Sequence, residues 1–166
     1  MSSKMRVGIG YDVHPLTSGR RLVLGGVDIP FHKGLSGWSD ADVLTHAVID
    51  ALLGAAALGD IGCHFPPGEP QYKGISSLTL LKRVKDKLAE NSWQVINVDA
   101  TIVAEQPKLR SFIDQMRQQL SQTLGIALSQ VSVKASTSAQ LGFVGRGEGI
   151  AAGAVALIES VSNQVN

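Results

Sequence analysis

Two segments of the chain carry residue types that bind transition metals. Asp12 and His14 stand two positions apart in a segment whose alternation predicts a β-strand, so both side chains are expected on one face of that strand. His46 follows in a segment that predicts a helix. One carboxylate oxygen and two imidazole nitrogens form a ligand set that zinc accepts, with a fourth position open for a substrate. The pattern indicates a metal site; the alternative is that Asp12 is a turn residue before Pro15 and His14 a surface residue.

The predicted helix around His46 has a narrow polar stripe on an otherwise apolar segment. Asp42, His46 and Asp50 stand at positions i, i+4 and i+8. Burying such groups costs several kcal/mol unless they are paired or bind a metal. Two interpretations stay open at this point. In the first, His46 binds a metal and Asp50 orients His46 or lies behind the metal ligands; in the second, Asp42 caps the helix, His46 is a hydrogen-bonded core residue and Asp50 is solvated.

Three further segments have the composition of anion-binding loops. Residues 142–149 read G-F-V-G-R-G-E-G, and their amides with Arg146 can hold an anion, although the segment alone favours a hairpin whose glycines take positive φ. Residues 136–138 are hydroxyl-bearing and end a predicted strand. Residues 104–109 read A-E-Q-P-K-L and place free amides and Lys108 where a helix is about to begin. Each segment also has an ordinary turn as its alternative.

Length and composition favour a single globular domain and exclude several function classes. The 166 residues predict one domain with a core over residues 5–158 and flexible tails at 1–4 and 159–166. A net charge of +1 argues against general nucleic-acid binding. Cys63 is the only cysteine, so no intrachain disulfide is possible, and it has no evident base to activate it as a nucleophile. The absence of a long apolar run and of an apolar signal core favours a cytoplasmic protein.

Strand-type and helix-type patterns alternate along the chain. Strands are expected at residues 5–14, 22–24, 27–29, 93–103, 131–137 and 150–158, the last apolar on both faces and therefore central. Helices are expected from Ser39 to about Leu58, from about Ser77, and over a segment that carries Ile113 and ends at Gly125. These elements predict an α+β fold, a two-layer α/β sandwich with a mixed β-sheet.

The motifs taken together resemble one enzyme family over nearly the whole chain, from about Arg6 to Ile158. They are, in order, G-Y-D-V-H, S-D-A-D-V-L-x-H-A-x-x-D-A-L-L-G-A-A-A-L-G-D-I-G, D-A-T-I-V-A, P-K-L and L-G-F-V-G-R-G-E-G. This order resembles the 2-C-methyl-D-erythritol 2,4-cyclodiphosphate synthases of the non-mevalonate isoprenoid pathway. The resemblance implies a phosphorus–oxygen lyase that converts 4-diphosphocytidyl-2-C-methyl-D-erythritol 2-phosphate to the cyclic diphosphate and CMP.

The same resemblance implies an assembly and a set of cofactors. The assembly is a homotrimer with three sheets packed around a threefold axis and active sites between neighbouring subunits. The cofactors are zinc, held by Asp12, His14 and His46, and a second divalent ion on the diphosphate, magnesium in most members. Two alternatives remain: a zinc-dependent phosphohydrolase that uses the same three residues, and a non-catalytic trimeric module that binds a nucleotide or an isoprenoid diphosphate. Neither nucleic acid nor membrane is an expected partner.

Further site residues follow from the resemblance by position. Asp42 matches a carboxylate that holds the methylerythritol hydroxyls, and Thr137 falls where a transition-state stabiliser is expected. Trp38 is counted with Thr137 and Asp42 among the expected catalytic residues. The substrate-binding set includes Asp12, His14, Trp38 and Ser39. The remaining substrate-binding positions are Asp60, Ile61, Gly62 and Phe65 around the sugar alcohol; Ala104, Pro107, Lys108, Leu109 and Arg110 around the cytidine; Ser136 and Thr137 at the phosphates and the cytidine; and Phe143 and Arg146 near the diphosphate and the central channel.

The chain departs from the family pattern at two places. Trp38 stands where the family usually has a histidine that stabilises the transferring phosphate. A tryptophan offers its backbone N–H and its indole N–H as donors, but no positive charge. Ala139 and Gln140 stand where the family often has a glutamate and a lysine. Both departures concern the grip on the phosphates and leave the three predicted metal ligands intact.

Overall fold

A five-stranded mixed sheet, covered on one face by helices, forms the framework of the molecule. The computed structural model describes residues 4–161. The strands are β1 (Met5–Ser18), β2 (Leu22–Leu24), β3 (Val27–Ile29), β4 (Lys33–Leu35), β5 (Trp93–Val103), β6 (Val131–Ser136) and β7 (Gly149–Ser160). The helices are α1 (Val43–Ala56), α2 (Ile61–His64), α3 (Ser77–Glu90), α4 (Ile113–Leu124) and α5 (Gly142–Gly145).

The strand order confirms the mixed sheet and the central position of the last strand. The sheet runs β4-β1-β7-β5-β6, and β2 pairs with β3 in a separate hairpin. β5 and β6 are parallel, while β7 is antiparallel to both β1 and β5. β7 extends to Ser160, two residues beyond the predicted core, because Glu159 pairs with Met5 and Ser160 with Trp93. The other residues of the two expected tails lie at or beyond the ends of the described chain.

Helix α1 is the centre of the core and begins later than predicted. Its N-cap is Asp42, not Ser39, and it ends at Ala56 with Ala57 in the left-handed conformation. Twelve of its residues are buried because the helix packs on β1 and β7 with one side and on α3 with another. The polar stripe therefore lies inside the molecule, at the contact between α1 and the sheet.

Two glycines on β1 allow α1 to approach the sheet closely. A Cβ atom at Gly8 would lie 2.0 Å from the carbonyl oxygen of Ala51, and one at Gly10 would lie 1.9 Å from that of Ala47. Both distances are far below van der Waals contact, so a side chain at either position would push the helix away. The absence of side chains here brings His46, next to Ala47, within reach of the residues that follow Gly10 on β1.

The remaining helices cover the same face of the sheet. α3 buries Leu81, Val84 and Leu88, and α4 buries Met116, Leu120 and Leu124, as the predicted spacing requires. α4 ends at the left-handed Gly125, also as predicted. Within residues 4–161, none of the helices has the length and apolarity that a membrane span requires.

The hairpin predicted for residues 142–149 is wrong. Gly142–Gly145 form a short helix, α5, and the strands on either side of the segment, β6 and β7, do not pair with each other. The strand order explains this difference, because β5 lies between them. A glycine-rich connection across a neighbouring strand has no sequence signal that separates it from a tight turn.

The other face of the sheet carries a strip of exposed apolar side chains. Alternate residues of β1 point away from the helices and include Val7, Ile9 and Tyr11, which are 68%, 78% and 62% exposed. Val155 lies beside Ile9 on β7 and is 44% exposed. On β5 and β6 the same face is polar and carries a Lys134–Asp99 ion pair. We call the exposed side chains of β1 and β7 the outer strip.

Candidate metal centre and active site

The three predicted metal ligands converge at one point between β1 and α1. Asp12 Oδ2 lies 2.9 Å from His14 Nε2 and 3.0 Å from His46 Nδ1, and the two nitrogens are 3.3 Å apart. Asp12 and His14 share the face of β1 that points towards α1, which carries His46. The strand spacing and the helix contact together account for this convergence.

The hydrogen bond behind His14 leaves its converging nitrogen free to bind a cation. His14 Nδ1 lies 2.8 Å from the carbonyl oxygen of Ser36, which can only accept, so Nδ1 carries the hydrogen and Nε2 of the neutral ring has a lone pair. In a tetrahedral zinc site with bonds of about 2.0–2.1 Å, neighbouring ligand atoms are about 3.3 Å apart. The observed spacings of 2.9–3.3 Å match this value, and the donor set of one oxygen and two nitrogens fits a divalent cation.

The titration of these groups reflects their close contact. Burial alone would raise the pKa of Asp12, but hydrogen bonds and positive charge from His14 and His46 lower it to about 2. For His14, burial lowers the pKa, yet the hydrogen bond and the negative charge of Asp12 raise it above its ordinary value. The contact therefore favours the ionised form of Asp12 and the protonated form of His14 when no cation is bound.

A cavity of about 230 Å³ opens beside the three ligands. Of the predicted substrate-binding residues, it is lined by Trp38, Ser39, Ile61, Gly62 and Phe65. Pro67, Tyr72 and Leu80 also line it and were not predicted from the sequence. These residues lie in α3 and in the segment between α2 and α3, and the sequence around them gives no local signal for a ligand. Only the tertiary packing places them beside the metal ligands. We call this space the metal-side cavity.

The role predicted for Asp42 is wrong, because its carboxylate is wholly buried. Its two oxygens accept four hydrogen bonds, from the backbone N–H groups of Gly25 and Gly26 and from the backbone and hydroxyl of Thr45, at 2.7–3.0 Å. No lone pair remains for a substrate hydroxyl. Burial and the charge of Asp40 raise the pKa of Asp42. Asp42 instead joins the β2–β3 turn to the start of α1, which is the capping alternative.

Two other acidic residues shape the short helix α2. Asp50 Oδ1 accepts a hydrogen bond of 2.7 Å from Ile61 N, so it holds the start of α2 and does not orient His46 as predicted. Asp60 caps α2 by accepting from Cys63 N at 2.9 Å, and this bond lowers its pKa. Asp60 does not line the metal-side cavity, whereas its neighbours Ile61 and Gly62 do.

Trp38 uses its indole donor within the chain. Its Nε1–H donates to the carbonyl oxygen of Glu69 at 2.9 Å, and its own carbonyl accepts from Gly74 N at 2.8 Å. Lys73 Nζ lies 6.0 Å from the centre of the indole ring. The expectation that the indole N–H is free for a phosphate is therefore wrong. Trp38 instead fastens the segment 69–75, which brings Tyr72 to the metal-side cavity.

A second and larger cavity gathers the residues predicted to bind the cytidine. Its volume is about 630 Å³, and it lies between the end of β5, the start of α4 and β6. The predicted residues that line it are Ala104, Pro107, Lys108, Leu109, Arg110, Ser136 and Thr137. Ile113, Asp114, Val133 and Lys134 line it as well and were not predicted. We call this space the nucleotide-side cavity.

The two cavities open at the same end of the sheet but are not joined within one chain. Asp12 on β1 pairs with Ala152 on β7, which pairs with Ile102 on β5, which in turn pairs with Ala135 on β6. Three strand spacings of about 4.8 Å separate the ends of this row, so they lie about 14 Å apart. A single chain therefore presents two separate cavities at this end of the sheet.

The last two predicted residues lie away from both cavities. Phe143 is on α5 and is 38% exposed, and Arg146 donates to Glu148 at 2.8 Å and 3.1 Å. Arg146 lines a separate cavity of about 280 Å³. Neither residue approaches the metal ligands or the nucleotide-side cavity within this chain.

Glu105 supports the unusual turn at residues 138–141 and was missed by the sequence analysis. Its carboxylate accepts from Ser138 N at 2.8 Å, from Ser138 Oγ at 3.0 Å and from Gln140 N at 3.2 Å. Ala139 and Gln140 both have positive φ. The two residues that depart from the family pattern thus adopt a left-handed turn held by Glu105, next to Ser136 and Thr137.

The chain is similar in sequence to known proteins over nearly its whole length. The YgbB family matches residues 5–159 of the chain. The 2-C-methyl-D-erythritol 2,4-cyclodiphosphate synthase of Dehalococcoides mccartyi (strain CBDB1) is 65% identical over 155 residues, which are 93% of this chain and 99% of that protein.

Solved structures share the fold over nearly the whole of this chain. The bifunctional IspDF from Campylobacter jejuni matches with a TM-score of 0.93 and 39% identity over 97% of this chain and 44% of that chain. The CDP complex of IspF from Plasmodium falciparum matches with a TM-score of 0.84 and 29% identity over 98% of this chain and 100% of that chain. On the family match, the relatives and the shared fold, the chain belongs to the YgbB family.

Proposed function

We propose that the chain is a 2-C-methyl-D-erythritol 2,4-cyclodiphosphate synthase, a phosphorus–oxygen lyase. An oxygen of the substrate's 2-phosphate forms a bond to the β-phosphorus of its diphosphate. The bond from that phosphorus to the bridging oxygen breaks, and CMP leaves. The convergence of Asp12, His14 and His46 beside a cavity is the observation that carries this proposal. The 65% identity to a synthase of this name supports it.

The three converging residues would hold a zinc ion, and the diphosphate would carry a second divalent ion such as magnesium. Zinc fits because it accepts a set of one carboxylate oxygen and two imidazole nitrogens and leaves one position open. When bound, the two ions would neutralise the negative charge that accumulates as one phosphate approaches another. Asp12, with its pKa of about 2, supplies a carboxylate that is ionised at neutral pH.

The residues of the two cavities would hold the two ends of the substrate. Ile61 and Phe65 form apolar walls of the metal-side cavity, where the methylerythritol would lie and water would be excluded. On the other side, Lys108 and Arg110 offer positive charge, and Ser136 and Thr137 offer hydroxyl donors to phosphate oxygens. Holding the 2-phosphate in line with the leaving CMP lowers the entropic part of the barrier.

A trimer would join the two halves of the site. The outer strip is apolar and exposed on the face of the sheet that the helices leave uncovered. In a single chain, helices cover only one face of the sheet. Packing the uncovered faces of three chains around a threefold axis would bury the outer strip. The nucleotide-side cavity of one subunit would then lie against the metal-side cavity of the next. The separation of the two cavities within one chain supports this arrangement.

Product analysis tests the proposed reaction directly. The protein is incubated with 4-diphosphocytidyl-2-C-methyl-D-erythritol 2-phosphate and divalent ions, and the products are identified by phosphorus NMR. We expect CMP and the cyclic diphosphate, with turnover lost after chelation and in His46→Ala. CMP with a linear phosphate would identify a phosphohydrolase, and binding without products would identify a binding module. Either result would contradict the proposed synthase.

A further inference from the structure

A buried hydroxyl stands behind His46, on the side away from the converging ligands. Ser77 Oγ lies 2.8 Å from His46 Nε2, and Ser39 Oγ lies 3.2 Å from the same nitrogen. Ser77 is the first residue of α3 and is wholly buried, and His46 is 8% exposed. A buried imidazole nitrogen carries a hydrogen if its partner accepts and has a lone pair if its partner donates, so the partner determines the tautomer of the ring.

The carboxylate of Asp40 determines the direction of that hydrogen bond. Ser77 Oγ–H donates to Asp40 Oδ1, and Ser77 N donates to Asp40 Oδ2 at 2.9 Å. A carboxylate can only accept, so the single hydroxyl proton of Ser77 is committed to Asp40. The Ser77 oxygen must then accept from His46, which places the hydrogen of the neutral ring on Nε2.

This direction leaves a lone pair on His46 Nδ1, the atom that faces Asp12 Oδ2 and His14 Nε2. The reversed ring, with its hydrogen on Nδ1, would point an N–H at the place where a cation would bind. Asp40 is itself held, since its Oδ1 also accepts from Asp42 N at 3.2 Å. The series of hydrogen bonds from Asp40 through Ser77 to His46 therefore connects the loop before α1, the start of α3 and the metal centre.

We propose that Ser77 and Asp40 are positioning residues for the metal centre: they set the tautomer and the ring orientation of His46 so that Nδ1 binds the divalent cation. The inference rests on the proposed function, in that Asp12, His14 and His46 hold a metal. Neither residue lines the metal-side cavity, so neither is placed to touch a substrate. Their effect is expected in metal affinity and in the state of the metal-free ring.

The test combines a zinc affinity with a spectroscopic readout in the metal-free protein. Zinc affinity is measured by competition with a chelator at one fixed pH for the full chain and for Ser77→Ala, Ser77→Thr and Asp40→Asn. The matched control is Ser76→Ala, because Ser76 precedes Ser77 and its side chain makes no capping hydrogen bond. The tautomer of His46 is read from the nitrogen shifts of the imidazole by NMR on ¹⁵N-labelled protein without metal.

We expect Ser77→Ala and Asp40→Asn to weaken zinc binding by about 10- to 100-fold, the usual effect of removing a partner behind a ligand. In the metal-free wild type, Nε2 of His46 should carry a hydrogen whether or not Nδ1 shares one with Asp12, and in metal-free Ser77→Ala a fraction of the rings should lack the hydrogen on Nε2. Ser77→Thr keeps the hydroxyl and should retain most of the affinity, and Ser76→Ala should bind zinc as the wild type does.

Other outcomes separate this inference from the proposed function. If Ser77→Ala or Asp40→Asn binds zinc within twofold of the wild type, or if Nε2 of the metal-free wild-type ring carries no hydrogen, the inference is wrong. If the wild type binds no zinc at these residues, the proposed function fails first, and the inference with it, whichever tautomer the NMR spectra show. A variant that unfolds is replaced by the other one, since Asp40 and Ser77 are changed independently.

Discussion

At the scale of single residues, His14 links metal binding to pH. Contact with Asp12 raises the pKa of His14 above its ordinary value, so in the metal-free protein the ring keeps a proton to higher pH. A metal ligand must be deprotonated, so zinc has to displace that proton. We expect the apparent zinc affinity to rise by up to about tenfold per pH unit below this pKa and to level off above it. Chelator competition between pH 5.5 and 8.5 measures it, and a flat profile would contradict the assignment.

The same contact affects the stability of the metal-free protein. Because the folded pKa of His14 is raised, its stabilising contribution is complete below about pH 6.5 and is lost as the pH rises through the folded value. The contribution of Asp12 has the opposite sign: it is present above about pH 4 and is lost as the pH falls towards its folded pKa of about 2. Thermal unfolding of metal-free protein should thus show highest stability from these groups between about pH 4 and 6.5.

Trp38 holds the segment 69–75 through hydrogen bonds with Glu69 and Gly74. Trp38→Phe keeps an aromatic ring but removes the donor to Glu69, a hydrogen bond worth about 1 kcal/mol. We expect the KM for the substrate to rise several-fold with kcat changed less than twofold, because Tyr72 would be less well positioned. Steady-state kinetics measures both. A large fall in kcat with an unchanged KM would show that Trp38 acts on the transferring phosphate.

The sequence predicted that Asp12, His14 and His46 form a candidate metal site, because their residue types and spacing are those of metal ligands. It did not predict the partners of Asp42, since those partners are backbone N–H groups of Gly25 and Gly26, which any residue possesses. It also missed Ser77 and Glu105. A serine at a helix start and a glutamate after a strand have common local explanations, and only tertiary contact gives them another role.

At the scale of secondary structure elements, the close contact between β1 and α1 decides whether the ligands meet. Gly10→Ala would place a Cβ atom 1.9 Å from the carbonyl oxygen of Ala47, so α1 must move away from β1. We expect a loss of about 1–3 kcal/mol in the free energy of unfolding, the range typical of overpacking, together with weaker zinc binding.

A matched glycine on the other side of this contact provides the control for Gly10→Ala. A Cβ atom at Gly54 in α1 would have as its nearest neighbour the carbonyl oxygen of Ile9 at 3.8 Å, an ordinary contact. Gly54→Ala should therefore stabilise the protein, by up to about 1 kcal/mol, through helix propensity. Chemical unfolding and chelator competition test both variants. Equal effects from the two substitutions would contradict the close-approach explanation.

Most elements were predictable because their periodicity is strong, and the errors lie where tertiary contacts override local signals. β5 follows its predicted range of residues 93–103, and the hairpin of β2 and β3 surrounds its two glycines. α1 begins at Val43 because the carboxylate of Asp42 accepts from Thr45 N. The pattern beginning at Ser39 could not show this, since both residues are good helix caps.

At the scale of the whole molecule, the outer strip predicts the assembly. Ile9 lies at the centre of the outer strip and is 78% exposed, and it would be buried in the proposed trimer. Ile9→Lys would bury a charge there, so we expect it to dissociate the trimer into monomers with little turnover while the metal ligands stay in place. Light scattering after size-exclusion chromatography gives the mass.

An equivalent substitution elsewhere separates assembly from general effects of a new charge. Leu128 is 39% exposed and lies in the short turn before β6, outside the outer strip. Leu128→Lys should leave the trimer and the turnover unchanged. A monomeric wild type, or an Ile9→Lys variant that stays trimeric, would show that the outer strip is not the interface.

The meeting of three side chains from two distant segments around one divalent cation is best tested by X-ray absorption at the zinc edge on the zinc-loaded chain. We predict one zinc per chain, with two imidazole nitrogens and carboxylate oxygen at about 2.0–2.1 Å, and loss of this spectrum in His46→Ala. A sulfur neighbour at about 2.3 Å, the absence of imidazole scattering, or an unchanged spectrum in His46→Ala would contradict it.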